Sequence, residues 1–229
     1  MKQQTLELEN LRREVQEMWS LVNLQLIKSE QALWNHDPEI ARDVMAREPR
    51  IDARELRLDS LTENFLALFH PVAVDLRMTL AIMKMATNLE RIGDFADGIA
   101  RFVVKSQAVA SSGDLLNKLQ LQVMFAVVRD MLERIHTALD KEDAQVAGSV
   151  LVMDDMLDDI NRGATRIIAD FIVENPQDAI YALHLYSISH KLERIGDHCN
   201  NIAEEIIFFI EAKVLKHSMN QEEENALVL

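Results

Sequence analysis

The chain has 229 residues, enough to bury a sizeable core in one or two domains. Its 38 Asp and Glu outweigh 24 Lys and Arg, and a net charge of −14 argues against a nonspecific grip on DNA, RNA or an anionic membrane. Aromatics are only 5% of the chain, with six Gly and four Pro, which favours long helices over strands. No stretch approaches the roughly 18–20 apolar residues of a membrane span. The opening MKQQTLELEN lacks the apolar stretch of a secretory signal, and the single cysteine, Cys199, allows no internal disulfide. These features predict a cytoplasmic protein.

The first helix is expected from about Thr5 to Trp34, because Leu8, Leu11, Val15, Trp19, Val22 and Leu26 recur at three- and four-residue steps. It breaks at Asn35-His36-Asp37-Pro38, where Asp37 suits a cap and Pro38 a first helical position. The second helix runs from Pro38 to about Phe69, with Pro49 expected to kink or split it. His70-Pro71 opens a third, reaching about Val104. Ser111-Ser112-Gly113-Asp114 reads as the linker between halves. The fourth helix is expected over Leu115–Leu139 and the fifth over Glu142–Val173. Asn175 is the expected cap of a sixth that begins at Pro176 and extends to about Leu215. A frayed acidic tail, 218–229, closes the chain.

The hexapeptide LERIGD occurs at 89–94 and again at 192–197, in the third helix of each half. The register agrees beyond it: Asp75 and Asp178 precede the two leucines by the same interval, Ile99 matches Ile202, and Ala100 matches Ala203. This is an internal duplication. The predicted fold is all-α, two tandem antiparallel three-helix bundles, divided at 1–110 and 111–217.

Within each copy the apolar letters form a core stripe: Leu89, Ile92, Ala96 and Ile99, then Leu192, Ile195, Cys199 and Ile202. The acids are harder to dismiss. Glu90 and Asp94 lie one turn apart with Asp97 beyond them, and Glu193 and Asp197 repeat the pair. Like charges at this spacing cost about 0.2–0.5 kcal/mol on an isolated helix, so a compensating cation is expected. Arg77, Arg91, Arg101 and Arg194 are one source; a metal ion is the other. The second helices offer acidic partners, Asp52, Glu55 and Asp59 in the first half and Asp154, Asp155, Asp158 and Asp159 in the second. Gly93 and Gly196, mid-helix at matching places, suggest close approach of another helix.

The stretches HPVAVDLRMTLAIMKMATNLERIGD and ENPQDAIYALHLYSISHKLERIGDHCNNIAE resemble the twin signatures of the PhoU family, accessory proteins of phosphate-specific transport. The resemblance spans nearly the whole chain. It implies a non-enzymatic adaptor that represses the phosphate-starvation regulon and restrains phosphate uptake. In that role it links the PstB ATPase subunit of the Pst transporter to the sensor kinase PhoR. Family members often dimerise, so a homodimer is expected. Some bind metal through acid-x-x-x-acid motifs, which fall here on Glu90, Asp94, Asp97, Glu193 and Asp197. On the second helix they fall on Asp52, Glu55 and Asp59. Oxygen ligands with His198 nearby leave Mg²⁺, Mn²⁺, iron and Zn²⁺ all open. With the hexapeptide offset kept, Asp155 matches Asp52, Asp158 matches Glu55, and Arg162 falls opposite Asp59, while Asn200 replaces the acid matching Asp97.

A di-iron carboxylate enzyme is the competing class. Glu133-Arg134-Ile135-His136 supplies one Glu-x-x-His motif, but the sequence holds no second copy. A Gly-rich phosphate loop is likewise missing, which argues against nucleotide binding. A scaffold without a switching role remains a third reading. Eleven methionines suit adaptable faces for protein partners.

Overall fold

The computed structural model describes residues 2–106 and 112–212. It is helical throughout, with no strand among the described residues. The first half holds α1 (Lys2–Asn35), α2 (Pro38–Phe69) and α3 (Ala73–Lys105). Asp37 caps α2 as its sequence suggests: the carboxylate accepts from the backbone N–H of Glu39 at 2.8 Å and of Ile40 at 3.2 Å. Helix α1 buries Leu11, Val15, Trp19, Val22 and Leu26, while Leu8 is partly covered.

Pro49 does not split α2, which is continuous through it. The proline lies on the exposed side, where water can serve the carbonyl that its ring leaves unpaired. The break comes instead in the second half. The expected fourth helix divides into α4 (Ser112–Lys118) and α5 (Leu121–Lys141) at Gln120, whose φ is 52°. The expected fifth divides into α6 (Ala144–Leu151) and α7 (Asp154–Glu174). Asp154 and Asp155 stand in the first turn of α7, and acids at a helix N-terminus favour a restart there.

A 3₁₀ turn, Pro176–Asp178, leads into α8 (Ala179–Glu211). Asn175 caps the end of α7 rather than the start of α8: its side chain donates to the Phe171 carbonyl at 3.2 Å. The expected continuation of the last helix to Leu215, the linker residue Ser111 and the 218–229 tail lie outside the described residues.

The result is two antiparallel three-helix bundles, α1–α3 and α5–α8, with the second helix of the second bundle broken. They are joined along α3 and α8, which run antiparallel. Lys84 pairs with Glu205 at 2.9 Å, His198 Nδ1 lies 2.8 Å from Asn88 Oδ1, and the Arg77 guanidinium donates to the Phe209 carbonyl at 3.2 Å. A second seam, between α1 and α5, is held by the Arg12–Glu142 ion pair, the Trp19–His136 ring contact and the Arg129–Glu30 pair at 3.3 Å. The apolar letters of both hexapeptides are buried, as is Cys199 farther along the second stripe.

Candidate functional site

The LERIGD helix in each half presents its acids toward the helix beside it. In the first half a glycine fixes the approach. A Cβ on Gly93 would lie 2.9 Å from Ile51 Cδ1 and 3.3 Å from Ile51 Cγ2, so α2 and α3 touch where Gly93 has no side chain. Around Ile51, α2 carries Glu48, Asp52 and Glu55; around Gly93, α3 carries Glu90, Asp94 and Asp97. Burial first, then a hydrogen bond and charge from Asp52, with Asp97 and Asp94 adding, push the Glu48 carboxyl up to about 7. Glu90 is also pushed to about 7, by burial and then Asp94, with Glu55 adding and Arg91 opposing.

The six carboxyls draw on few cations. Arg91 reaches Asp94 at 3.3 Å and Glu90 at 3.4 Å, both long and solvent-exposed on the arginine side. Arg101 pairs with Asp97 Oδ2. Asp97 is buried, and its Oδ1 has no hydrogen-bond donor among the described residues. Of the other two arginines expected to compensate, Arg77 serves the Phe209 carbonyl, and Arg194 lies over the Phe95 ring, 5.6 Å from its centroid, where its charge still opposes the raised Glu193 and Asp197 carboxyls.

The second half builds the same feature in a different register. A Cβ on Gly196 would fall onto Leu157 Cδ1 and lie 2.7 Å from Asp154 Oδ1. Leu157 therefore stands where Ile51 does, yet it is three residues closer in sequence to its glycine. The matching by hexapeptide offset fails by that amount. Asp154 occupies the place of Glu48, Asp158 that of Asp52, and Asn161 that of Glu55. Asp155 and Asp159 face solvent, and Asp159 pairs with Arg162 at 2.9 Å.

Burial, with Asp197, Asp158 and Glu193, raises Asp154 to about 7. Glu193 is raised by burial, then Asp197 and Asp158; Asp197 is raised by burial, then Asp158, with Arg194 and His190 opposing. Asp154 Oδ1 and Asn200 Oδ1 are buried without hydrogen-bond partners among the described residues. Glu193 Oε2 has only the His190 ring nitrogen, at 3.2 Å, which donates only when it carries a proton.

Of the sequence-derived ligands, Asp52, Glu55, Glu90, Asp94 and Asp97 come together in one cluster, and Glu193 and Asp197 in the other. Asp59 does not join. It lies one turn past Glu55, and α3 carries no acid between Asp75 and Glu90 to meet it. His198 is not near the carboxylates as a ligand would be. It bridges the halves, its ring 5.7 Å from Phe95, with burial and then Arg194 and Arg91 depressing it to about 4. It is therefore neutral, and the short contact to Asn88 Oδ1 is made by its Nδ1–H. Glu133 and His136 sit on α5, with His136 against Trp19, on the seam with α1 and apart from both acidic clusters.

Glu48 is the residue that sequence reasoning missed. Its signal was present: Glu48-Pro49-Arg50-Ile51-Asp52 has the same acid-x-x-x-acid spacing as Glu90 to Asp94. His190, which the sequence suggests as a polar-face residue rather than a ligand, stands beside Glu193. Among the described residues no three His, Cys, Asp or Glu side chains already converge as metal ligands, so a cation would have to draw the carboxylates inward. The donor set nonetheless fits one. All-oxygen clusters with unpartnered buried oxygens and raised carboxyl pKa values are relieved either by protons or by a hard cation.

A family model described as PhoU domain matches residues 15–103 and again 121–206. The chain is 30% identical over 214 residues to the phosphate-specific transport system accessory protein PhoU of Serratia marcescens, covering 92% of this chain and 86% of that one. It is 30% identical over 223 residues to the PhoU homolog of Pseudomonas aeruginosa, covering 96% and 91%. The crystal structure of PhoU from Pseudomonas aeruginosa superposes with a TM-score of 0.84 at 29% identity, over 91% of this chain and 99% of that one.

Proposed function

This chain belongs to the PhoU family, and from that premise we propose that it is a negative regulator of the phosphate-starvation response and of phosphate uptake. It acts as an adaptor: it reads the state of the Pst transporter through the PstB ATPase subunit and biases the PhoR sensor kinase toward its inactive or phosphatase state. The observation that carries the reading is the doubled family match, across nearly the full chain, to accessory proteins of phosphate-specific transport. The chain works in the cytoplasm, as a homodimer, and without nucleic acid. No helix among the described residues is long and apolar enough to cross a membrane, and contact with the transporter is made through its protein subunits.

The adaptor is not an enzyme: the Glu133–His136 pair has no partner motif, and the acidic clusters offer ligands rather than a nucleophile. The clusters are cation sites, the first richer than the second, taking Mg²⁺, Mn²⁺, iron or Zn²⁺. A bound cation supplies the positive charge that lets these carboxyls ionise together, and so stiffens the α2–α3 and α7–α8 contacts. The test is genetic. Deleting the gene should release alkaline phosphatase, or another phosphate-starvation reporter, in phosphate-rich medium. Continued silence of the reporter would remove the repressor role.

A further inference from the structure

The duplication supplies an internal comparison of two equivalent grooves. In the first half, the groove between α1 and α2 has a volume of about 550 Å³ and is lined by Glu14, Leu21, Arg50, Ala53, Arg54 and Arg57. It answers its own charges: Arg54 pairs with Glu14 at 2.9 Å and Glu17 at 2.6 Å, and Arg57 pairs with Glu14 at 3.0 Å. In the second half, the groove between α5 and the α6–α7 turn has a volume of about 630 Å³. Its apolar lining is Val123, Ala126, Val127, Val152, Met153 and Met156. Arg50 stands one residue before Ile51, and Met156 one residue before Leu157, so an arginine in one half is replaced by a methionine in the other.

The apolar lining is open to water. Val152 is 74% exposed, Met156 53% and Val123 41%. At the break between α6 and α7, Val152 stands outward while Met153 packs partly against the core and forms the floor of the groove. Contiguous exposed apolar side chains rimmed by polar ones mark interaction sites. Val123 and Val127 stand one turn apart on α5, facing two flexible methionines across the groove, which is the form of a helix-binding slot.

We propose that this groove docks an amphipathic helix of a partner protein, with Leu, Phe or Met on its buried face and Lys or Arg at its flanks. Charge selects that occupant. Asp130 is in the wall, where it pairs with Arg134 at 3.1 Å, and Asp155 is exposed next to Met156, on a chain of net charge −14. A second copy of the chain would bring the same negative charge to an acidic rim. The C-terminal segment would bring Glu222, Glu223 and Glu224. The proposal rests on the adaptor reading and assigns it one partner surface.

The full chain is titrated with a labelled synthetic amphipathic helix that has Leu and Phe on one face and Lys and Arg at the flanks. Hydrogen exchange then maps the contact. The expected result is binding that protects 122–130 and 152–156, and that weakens at least about tenfold in Met156→Asp and in Val152→Asp. These positions are exposed, so both variants keep the fold. A peptide with the same apolar face and Glu flanks should bind at least about tenfold more weakly. Equal binding by parent and variants, or protection centred on the carboxylate clusters, overturns the proposal. So does groove protection in the peptide-free protein that is lost on dilution, the mark of a second copy. Protection lost on removing 213–229, the mark of the chain's own end, overturns it too. Full reporter repression by Met156→Asp with no peptide binding overturns the groove alone. Failure of the parent chain to repress overturns the adaptor reading and leaves the peptide data to decide the groove.

Discussion

Three glycines in helices, Gly163, Gly196 and Gly93, give different expected responses to one substitution, Gly→Ala. In an open helix interior alanine gains about 0.8–1 kcal/mol over glycine. Gly163, in α7, has nothing within 4 Å of an added Cβ, so Gly163→Ala should gain the full amount. For a chain of this length that raises Tm by about 2–4 °C. At Gly196 the new methyl would fall onto Leu157 Cδ1 and lie 2.7 Å from Asp154 Oδ1. Overpacking of this kind costs about 1–3 kcal/mol, which offsets or exceeds the propensity gain, so Gly196→Ala should lose about 0–2 kcal/mol net. Gly93 is intermediate. Ile51 Cδ1, at 2.9 Å, can swing aside, but Cγ2, at 3.3 Å, is held by the branch at Cβ, so the two effects roughly cancel. The assay is thermal unfolding of metal-free protein followed by circular dichroism. A Gly196→Ala protein that melts as high as Gly163→Ala would refute the close contact between α7 and α8.

Three further outcomes are expected. In metal-free protein the Glu48, Glu90 and Asp154 carboxyls titrate near about 7 when folded, above their unfolded values near about 4. Their contribution to stability is therefore complete below the unfolded values and is lost as pH rises through about 7. The loss is on the order of 1 kcal/mol each after solvent screening. Denaturant midpoints between about pH 4 and 7 should fall in the parent and stay flatter in Glu48→Gln with Glu90→Gln and Asp154→Asn; parallel curves would contradict the assignment. Bound metal per chain, read by mass spectrometry of the protein's metal content, should drop in Glu90→Ala with Asp94→Ala and in Asp154→Ala with Asp158→Ala. It should hold in Asp155→Ala with Asp159→Ala, and the reverse order would restore the offset register. Cys199, fully buried with its thiol pushed up by burial and then by Asp154, should resist a thiol reagent until the protein unfolds. Rapid labelling of native protein would contradict that burial.

The helical content, the duplication and the buried stripes were legible in the sequence because they are local. A stripe such as Leu89-Ile92-Ala96-Ile99 depends only on the helical period, and Asp37-Pro38 marks a helix start through bonds within four residues. The acidic face of each LERIGD helix was legible for the same reason. Pro49 does not split α2, because its cost depends on which side of the helix faces water, and that is settled by the bundle around it.

The register between helices was decided by the tertiary structure alone. Periodicity says which side a residue faces, not how far one helix slides along another. That slide is set by connection length and by where a glycine lets a neighbour close in. Three residues fewer between Leu157 and Gly196 moved the second cluster from Asp155 and Asp158 to Asp154 and Asp158. The same kind of contact brought Glu48 into the first cluster and took His198 away to the seam between halves. The chain by itself determined which side chains carry charge on which helical face; only the packing of α2 on α3 and of α7 on α8 decided which of those charges share a site.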